Sequence, residues 1–279
     1  MLSFPNCKIN LGLRILDKRP DGYHNLQTIF FPVPLFDALE IIANSRGEQD
    51  VIFTASGLAV NTAEQDNLCV KAYRLLKKDF PELPPVRIHL HKTIPMGAGL
   101  GGGSSDGAFT LSRLNSLFRL GLSSEQLGSY ALQLGSDCPF FIVNKPSIGG
   151  GRGEYLLPVE LTLSGCSLVL INPGIHVDTG WAFRQLAEIR SGQKAETIAL
   201  HRVPLLPLDE WKHLLTNDFE EPVFARYPEI AEIKHELYRR GALYASMSGS
   251  GSTVFGFFEN LAEAVSGWPP TWFVRRLPL

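Results

Sequence analysis

A glycine-rich run from Pro95 to Ala108 holds the residues of this sequence that point most clearly to chemistry. Five glycines occupy the seven positions from Gly97 to Gly103. Glycine allows the backbone to take positive φ or to approach a ligand closely. The run follows a strand-like alternation at 86–91 and precedes apolar residues at helical spacing. Because a helix start carries free N–H groups and a partial positive charge, we predict that this loop binds an anion, most often phosphate.

Three known kinds of phosphate loop do not match this run. A P-loop needs Lys and then Ser or Thr after its second glycine, whereas Ser104 follows Gly103 directly. The segment 97–102 fits the dinucleotide fingerprint in form, but the acidic residue expected about 20 residues later is missing. A protein kinase would need Val-Ala-Ile-Lys and His-Arg-Asp segments, and neither occurs. A flexible linker is disfavoured, because an amphipathic helix follows with Ser104, Ser105 and Asp106 as N-cap candidates.

Lys8 and Asp137 could complete a site for phosphoryl transfer. Lys8 lies on one face of the alternating segment 7–15, and Asp137 precedes a short apolar run at 140–143. Taken alone, Lys8 could be a strand lysine facing water and Asp137 a turn residue before proline. Phosphoryl transfer requires a carboxylate near the acceptor hydroxyl and cations around the transferred group. Together with the glycine loop, these two residues supply that minimum set.

Composition restricts the class of protein. The chain has 279 residues, enough for one large or two modest domains, with 44% apolar and 19% charged residues, as in soluble globular proteins. A net charge of −2 offers no basic surface for nucleic acid. Four widely spaced cysteines predict reduced, buried thiols and no metal site. Without a signal peptide or an apolar run of about 18 residues, we expect a cytoplasmic protein that does not bind membranes.

Periodicity predicts mixed strands and helices without a regular βαβ rhythm, which favours an α+β fold. The predicted strands are 7–15, 23–33, 38–43, 51–55, 86–91, 140–143, 168–172 and 253–258. The predicted helices are 67–80, the helix after the glycine loop, 122–134, 180–190 with Thr179 as its cap, and 228–240 with Gly241 at its end. The segment 191–207 is expected to be an exposed loop with little structure, and a domain boundary is expected just after Glu154.

Several motifs in one order resemble the diphosphocytidyl-methylerythritol kinases of the superfamily that includes galactokinase, homoserine kinase, mevalonate kinase and phosphomevalonate kinase (GHMP kinases). These motifs are Pro5–Leu11, Asp21-Gly22-Tyr23-His24, the glycine loop, Gly135–Phe140, Gly151–Glu154 and Met247–Ser252. The Asp-Gly-Tyr-His element distinguishes this family from the other superfamily members. Gly107 and Gly180 depart from it, since alanine is common at both positions.

The resemblance implies a fold and a reaction. The fold would be the two-domain GHMP-kinase fold, with a ribosomal-protein-S5-like N-terminal domain at 1–155 and a ferredoxin-like C-terminal domain at 156–279. The active site would lie in the cleft between these domains. The reaction would transfer phosphate from ATP, with Mg²⁺, to the 2-hydroxyl of 4-diphosphocytidyl-2-C-methyl-D-erythritol. The partner would be a small-molecule substrate, and the protein a monomer or weak homodimer.

The resemblance also assigns residues to roles. Asp137 would be the base, Lys8 would contact Asp137 and the acceptor hydroxyl, and Asn10 and Thr179 would hold the acceptor. Tyr23 would stack on the cytosine and His24 would read its edge, which requires the chain to depart from regular strand geometry there. Asn67 and Lys92 would lie near the adenosine, and 249–252 would brace the glycine loop. The cofactor-binding run would be Pro95, Met96, Gly97, Ala98, Gly99, Leu100, Gly101, Gly102, Gly103, Ser104 and Ser105. Within it, Gly97–Ser105 would wrap the ATP phosphates.

The residues leave other functions open. One alternative is another small-molecule kinase of the superfamily, acting on homoserine or mevalonate. A second is a non-catalytic nucleotide-binding protein, against which the presence of both Lys8 and Asp137 argues. A dinucleotide oxidoreductase ranks third. Turnover of a cytidylated substrate would distinguish the diphosphocytidyl-methylerythritol kinase from all three alternatives.

Overall fold

The chain forms two compact units that interleave along the sequence. The computed structural model describes residues 1–44, 49–60, 62–190, 196–259 and 266–279. The first unit contains Met1–Lys8, Pro32–Met96 and Gly101–Lys145, and the second contains Ile9–Phe31, Gly97–Leu100 and Pro146–Leu279. Since the units interleave, the single boundary predicted after residue 155 stays a prediction.

The elements alternate between strands and helices without strict order. The strands are β1 (Leu2–Ser3), β2 (Asn6–Lys18), β3 (His24–Phe36), β4 (Ala38–Ala43), β5 (Val51–Gly57), β6 (Val86–Lys92), β7 (Ser147–Gly150), β8 (Tyr155–Pro158), β9 (Ser167–Asn172), β10 (Tyr244–Met247), β11 (Val254–Phe258) and β12 (Phe273–Pro278). The α-helices are α1 (Leu68–Asp79), α2 (Gly102–Phe118), α3 (Ser124–Leu134), α4 (Cys138–Val143), α5 (Thr179–Arg190), α6 (Glu220–Arg226) and α7 (Pro228–Arg239). Short 3₁₀ helices span Glu64–Asp66, Leu200–Leu205 and Leu208–His213.

The first unit is built on a sheet with the order β1-β4-β6-β5, in which only the β5–β6 pair is parallel. Helix α2 packs against α1 and against β4. Along β6, Val86, Ile88 and Leu90 face the core while the residues between them face out. Because side chains alternate along a strand, the same row carries Lys92 into the interior. A buried lysine requires partners, and the site described below supplies them.

The second unit contains the antiparallel sheet β10-β11-β9-β12 and most of the sheet β2-β3-β7-β8. Helix α7 packs on β10 and β11, and it contributes Ile230, Ile233 and Leu237 to the core. Val169 and Ile171 of β9 meet this cluster from the sheet. These contacts support the backbone from which the loops of the second unit project.

The fold class and most of the elements are as predicted. The α+β class is confirmed, and so are the strands from 7–15 to 51–55, the helix 67–80 and the strand 86–91. Helix α3 begins after a capping box, in which Ser123 Oγ accepts from Gln126 N and the Gln126 side chain accepts from Ser123 N. Gly241, with φ of +89°, follows α7 as expected for a glycine at a helix end.

Three local predictions are wrong. Residues 140–143 belong to helix α4 rather than to a strand, since a short apolar run has no periodicity and Pro139 favours a helix start. Thr179 is the first residue of α5, and Asp178 caps it by accepting from Trp181 N at 2.6 Å. The segment 196–207 is not structureless, because Leu200–Leu205 forms a 3₁₀ helix that buries Leu200 and Val203. Residues 191–195 of that predicted loop lie outside the described residues.

The four cysteines are free thiols, as predicted. Cys7, Cys69 and Cys138 are buried in the first unit, and Cys166 is partly exposed in the second. Burial raises the pKa of Cys7 and of Cys138 to about 12, and it also raises the pKa of Cys69. These three thiols are therefore protonated at neutral pH and pack as small apolar side chains.

Within the described ranges, no helix combines the length and apolar character needed to cross a bilayer.

Candidate active site

A second glycine loop, Met247–Ser252, holds the first half of the glycine-rich run in place. In the second unit, Ser248 Oγ donates to Gly99 O at 2.8 Å, and Thr253 N donates to Ala98 O at 3.2 Å. Gly99 has φ of +79°, and a Cβ there would lie 2.0 Å from Ser248 O. Only glycine fits such a position, because a side chain would overlap the neighbouring backbone. The predicted brace at 249–252 thus has a physical counterpart, although its hydrogen bonds come from the flanking Ser248 and Thr253.

Gly101 begins helix α2 in the first unit. It is the N-cap and lies in the left-handed region, with φ of +68°. The prediction of Ser104, Ser105 or Asp106 as the cap is wrong, because all three lie inside the first turns of α2. Among the described residues, no side chain caps this helix. Its first N–H groups are therefore available to an anion.

Lys8 and Asp137 form an ion pair beside this helix start. Lys8 Nζ lies 3.3 Å from Asp137 Oδ2, with Lys8 almost fully buried and the Asp137 side chain 36% exposed. A Cβ on Gly101 would lie 3.1 Å from Lys8 Cε, so the lysine stem runs directly against the glycine. Asp137 precedes α4, yet within the described chain its side chain does not cap that helix. A buried cation, a reachable carboxylate and an uncapped helix start are thus neighbours within the first unit.

Lys92 lies at the centre of a buried ion-pair triad. Its Nζ lies 2.5 Å from Asp37 Oδ2 and 2.8 Å from Asp106 Oδ2. Burial alone would lower the pKa of Lys92, but the two carboxylates outweigh burial and raise it. Burial raises the pKa of Asp106 to about 7, Lys92 opposes this shift, and Asp37 reinforces it. Asp37 Oδ1 also accepts from Thr93 N and Ile94 N, which ties the chain after β6 to the start of β4.

A pocket of about 200 Å³ opens in the first unit beside this triad. It contains both residues predicted to lie near adenosine, Asn67 and Lys92. Asn67 Oδ1 caps α1 by accepting from Cys69 N, and the Lys92 ammonium is held by its two carboxylates. The other lining residues are Val60, Thr62, Asp66, Leu68, Leu90, Met96, Gly103 and Asp106. Largely apolar walls with a few polar groups are typical of a site for a small organic ring.

Asn10 and Thr179, predicted to hold the acceptor, lie in the second unit with their side chains anchored. Asn10 Nδ2 donates to Thr28 Oγ1 at 3.1 Å, and Thr28 Oγ1 donates onward to Gly12 O at 2.5 Å. The Thr179 and Ser250 hydroxyls are 2.8 Å apart and hydrogen-bonded. Both predicted residues therefore connect to the segment around the second glycine loop, since Asn10 N also donates to Ser248 Oγ.

Tyr23 and His24 follow a tight turn in the second unit. Gly22 N donates to Arg19 O at 3.1 Å, and Tyr23 N donates to Asp21 Oδ1 at 3.1 Å. Tyr23 lies in this turn with 53% of its surface exposed, and β3 begins only at His24. Tyr23 therefore lies outside the strand, so the alternation of side chains along β3 does not decide how Tyr23 and His24 are oriented relative to each other.

The His24 ring stacks on Phe183 of α5, with ring centroids 4.7 Å apart and planes inclined by 15°. Burial, helped by the charge of Lys18, lowers the pKa of His24. The imidazole is then neutral at pH 7, with one donor and one acceptor nitrogen. The sequence analysis did not predict Phe183 as a site residue. The one pattern that could have indicated it is its position four residues after Thr179, on the same side of a helix.

Two family models match the chain: the GHMP kinases N terminal domain over residues 67–145 and the GHMP kinases C terminal over residues 203–267. A 4-diphosphocytidyl-2-C-methyl-D-erythritol kinase of Bacteroides fragilis is 52% identical over 259 residues, which cover 93% of this chain and 92% of that protein. The Cytophaga hutchinsonii kinase of the same name is 48% identical over 264 residues, 94% of each chain. This chain belongs to the 4-diphosphocytidyl-2-C-methyl-D-erythritol kinase family.

Solved structures agree with this assignment to the kinase family. A crystal structure of 4-(cytidine 5'-diphospho)-2C-methyl-D-erythritol kinase matches with a TM-score of 0.77 at 31% identity, covering 92% of this chain and 89% of that one. The Methanococcus jannaschii mevalonate kinase matches with a TM-score of 0.66 at 15% identity, covering 92% and 90%. The second match shows a shared fold only. The chain is therefore a small-molecule kinase with the GHMP fold.

Replacing Gly101 with valine in this kinase should weaken ATP binding. The backbone at this position has positive φ, which valine rarely adopts. The new side chain would also press on Lys8 and Phe141, both 3.1 Å from the Cβ position. ATP at a hundredfold excess over Kd should stabilise the wild type by about 2.7 kcal/mol, and the variant much less. Thermal unfolding with and without ATP measures this difference. Gly128→Val is the control, because Gly128 lies in α3 with open space around it; equal ATP shifts in the Gly101 variant would contradict the prediction.

Replacing Asp106 with asparagine should change how the stability of the kinase depends on pH. The pKa of Asp106 is raised from 3.8 to about 7, so the native state binds this proton more tightly than the unfolded state. The protonated carboxyl group of Asp106 therefore contributes to the free energy of unfolding at low pH, and this contribution is lost as pH rises through about 7. Relative to Asp106→Asn, wild type should lose about 1 kcal/mol or more between pH 5 and pH 8.

Urea unfolding followed by tryptophan fluorescence at these two pH values measures the effect. Asp50→Asn serves as the control, because the Asp50 carboxylate is 61% exposed in a pair with Lys77. It should keep the wild-type pH dependence. Identical pH dependence of wild type and Asp106→Asn would show that Asp106 does not carry the shifted proton.

Proposed function

We propose that this kinase transfers the γ-phosphoryl group of ATP to the 2-hydroxyl of 4-diphosphocytidyl-2-C-methyl-D-erythritol. The observation that carries the proposal is the Lys8–Asp137 pair beside the uncapped start of α2. Membership of the kinase family supports the reaction, and the family's substrate name supports the acceptor. We further propose that the protein acts in the cytoplasm as a monomer or weak homodimer.

The ATP phosphates would bind along Gly97–Ser105, within the cofactor-binding run Pro95–Ser105. The N–H groups in the first turn of α2 would donate to phosphate oxygens, and the helix dipole would favour their negative charge. Lys8 would add a positive charge at the transferred group, where charge is spread over the phosphoryl oxygens. The adenosine would occupy the pocket lined by Asn67 and Lys92. Because the Lys92 ammonium is bound by two carboxylates, we expect its stem to contact the ligand.

Asp137 would act as the base. Its partly exposed carboxylate would accept the proton of the acceptor hydroxyl as the hydroxyl oxygen bonds to the γ-phosphorus and ADP departs. Lys8, 3.3 Å from Asp137 Oδ2, would orient this carboxylate and stabilise the developing charge on the acceptor oxygen. Asn10 and Thr179 would position the erythritol portion of the acceptor.

Mg²⁺ would enter with the nucleotide. Among the described residues, no group of three or more His, Cys, Asp or Glu side chains could hold a metal ion. Magnesium commonly binds through one or two protein oxygens together with substrate phosphates, so it does not require a cluster of protein ligands. Ser105 Oγ, buried in the first turn of α2 and lacking a hydrogen-bond partner in the described part of the chain, is one oxygen available nearby. When bound, Mg²⁺ would neutralise charge on the phosphates.

The cytosine would bind at Tyr23 and His24. An exposed aromatic ring offers a face on which a base can stack, and a neutral imidazole offers a donor and an acceptor to its edge. ADP release measured with the cytidylated substrate, with homoserine and with mevalonate tests the assignment. We expect turnover of the cytidylated substrate alone; turnover of either other acceptor at a similar kcat/KM would overturn the proposal.

Asp137→Asn should retain the fold and lose most activity. General base catalysis contributes about 10²–10⁴-fold, so kcat should fall by a factor in this range. The loss should lie toward the lower end if the proton moves late, as loose phosphoryl-transfer transition states allow. Asp50→Asn, which removes a surface carboxylate 3.7 Å from Lys77, is the control and should keep wild-type kcat. A variant at position 137 with more than half of wild-type kcat would falsify the base assignment.

His24→Ala should affect the two substrates differently. Losing a partner of a buried polar group costs about 1–3 kcal/mol, so KM for the cytidylated substrate should rise about fivefold to a hundredfold. His24 would bind the base equally in the ground state and the transition state, so its loss should appear mainly in KM for that substrate. The KM for ATP should stay within about twofold, because the proposed phosphate loop lies on a different segment. His235→Ala, at a helix position where the side chain is 68% exposed, is the control.

The uracil analogue gives a second measurement for the same variant. It exchanges a donor and an acceptor on the base edge, so wild type should discriminate strongly against it and His24→Ala less so. If His24 only packs on Phe183, the substitution should lower the unfolding temperature and leave both KM values and the cytosine preference unchanged. That result would remove the assigned base-reading role.

A further inference from the structure

Arg152 is presented at the tip of the β7–β8 hairpin in the second unit. The turn at 151–154 is closed by a hydrogen bond from Gly153 N to Gly150 O at 3.0 Å. Glu154 accepts from Arg152 N through Oε2, and Leu26 N donates to Gly151 O at 2.7 Å. The hairpin tip is therefore tied both to itself and to β3, the strand that follows Tyr23.

The Arg152 guanidinium lies over the Tyr23 ring, with its central carbon 4.5 Å from the ring centroid. The Arg152 side chain is only 23% exposed, although it projects from a turn. Its Nε is buried and has no hydrogen-bond partner among the described residues, and its ion pair with Glu154 is long, at 3.8 Å. Within the described chain, the guanidinium therefore makes a stacking contact with Tyr23 and a long ion pair with Glu154, and its Nε makes no hydrogen bond.

Tyr23 needs such a partner. It precedes the strand, and 53% of its surface is exposed, so protein packing covers less than half of the residue. A cation over an aromatic face is attracted by the ring quadrupole. The adjacent ring, His24, is held in a comparable way by its stack on Phe183. A binding surface whose rings are held before the ligand arrives loses less conformational entropy on binding.

We propose that Arg152 is a positioning residue for the acceptor: by stacking on one face of Tyr23, it holds the ring with its other face open to the pyrimidine. This inference rests on the proposed function, which assigns Tyr23 to the base but gives Arg152 no part. Arg152 acts through Tyr23 and does not itself contact the substrate. Its loss should therefore affect binding of the cytidylated substrate, and only while Tyr23 is present.

A double-mutant cycle tests this dependence. Arg152→Met keeps an unbranched apolar stem and removes the cation. In the wild-type background, it should lower kcat/KM for the cytidylated substrate about threefold to tenfold through KM, with kcat and the KM for ATP unchanged. In a Tyr23→Ala background, the same substitution should have no further effect. The control is Arg275→Met, which removes another arginine stacked on an aromatic ring, Phe273, at 4.3 Å on the edge strand β12.

Each other result overturns the proposal. Equal reductions in both backgrounds would mean that Arg152 contacts the substrate directly. A lower KM in Arg152→Met would mean that the guanidinium occupies the face that the base needs. An unchanged KM, or a matching loss in Arg275→Met, would remove any specific role. If wild type does not turn over the cytidylated substrate at all, the proposed function itself fails, and the wild-type measurement alone reveals that.

Discussion

The ion-pair triad of Lys92 with Asp37 and Asp106 is the interaction on which the pocket of the first unit and the start of α2 depend. The alternation of β6 carries this cation to the core face, where an unpaired charge would be very costly. Its two carboxylates come from different elements: Asp37 just before β4 and Asp106 in the first turns of α2. The triad therefore joins the sheet to the helix that is proposed to bind phosphate. Removing Lys92 would leave two buried carboxyl groups without their cation, so the start of α2, the start of β4 and the end of β6 are constrained together.

The predictions succeeded where a pattern is local. Alternating residues located β2 and β6, and a run of glycines located the loop before α2. They were wrong where local signals compete, as at 140–143, where four apolar residues suit a strand or a helix turn equally. The caps of α2 and α5 were misplaced for a related reason. Gly101 and Asp178 each lie one or more residues before the predicted cap, and only backbone geometry distinguishes them.

Pairings between distant residues were beyond the sequence. The resemblance pointed to Lys92, but its partner Asp37 lies 55 positions away, and nothing in the local pattern links them. The contact of Ser248 with Gly99 spans 149 positions and depends on how two loops pack in the folded chain. Phe183 was not predicted as a site residue and Arg152 was given no role, because each contacts the Tyr23–His24 segment only in the folded chain. Residue types suggested the chemistry of the site, whereas packing decides which side chains meet.

The positions of the cysteines allow local unfolding of the first unit to be measured by thiol alkylation. Three thiols are buried and protonated, and all three belong to the first unit, whereas Cys166 is partly exposed in the second. A thiolate reacts with an alkylating reagent and a buried thiol does not. Added mass at Cys7, Cys69 or Cys138 would therefore record how often the first unit unfolds enough to admit the reagent. The native thiols thus allow the opening of the first unit to be followed over time without any engineered label.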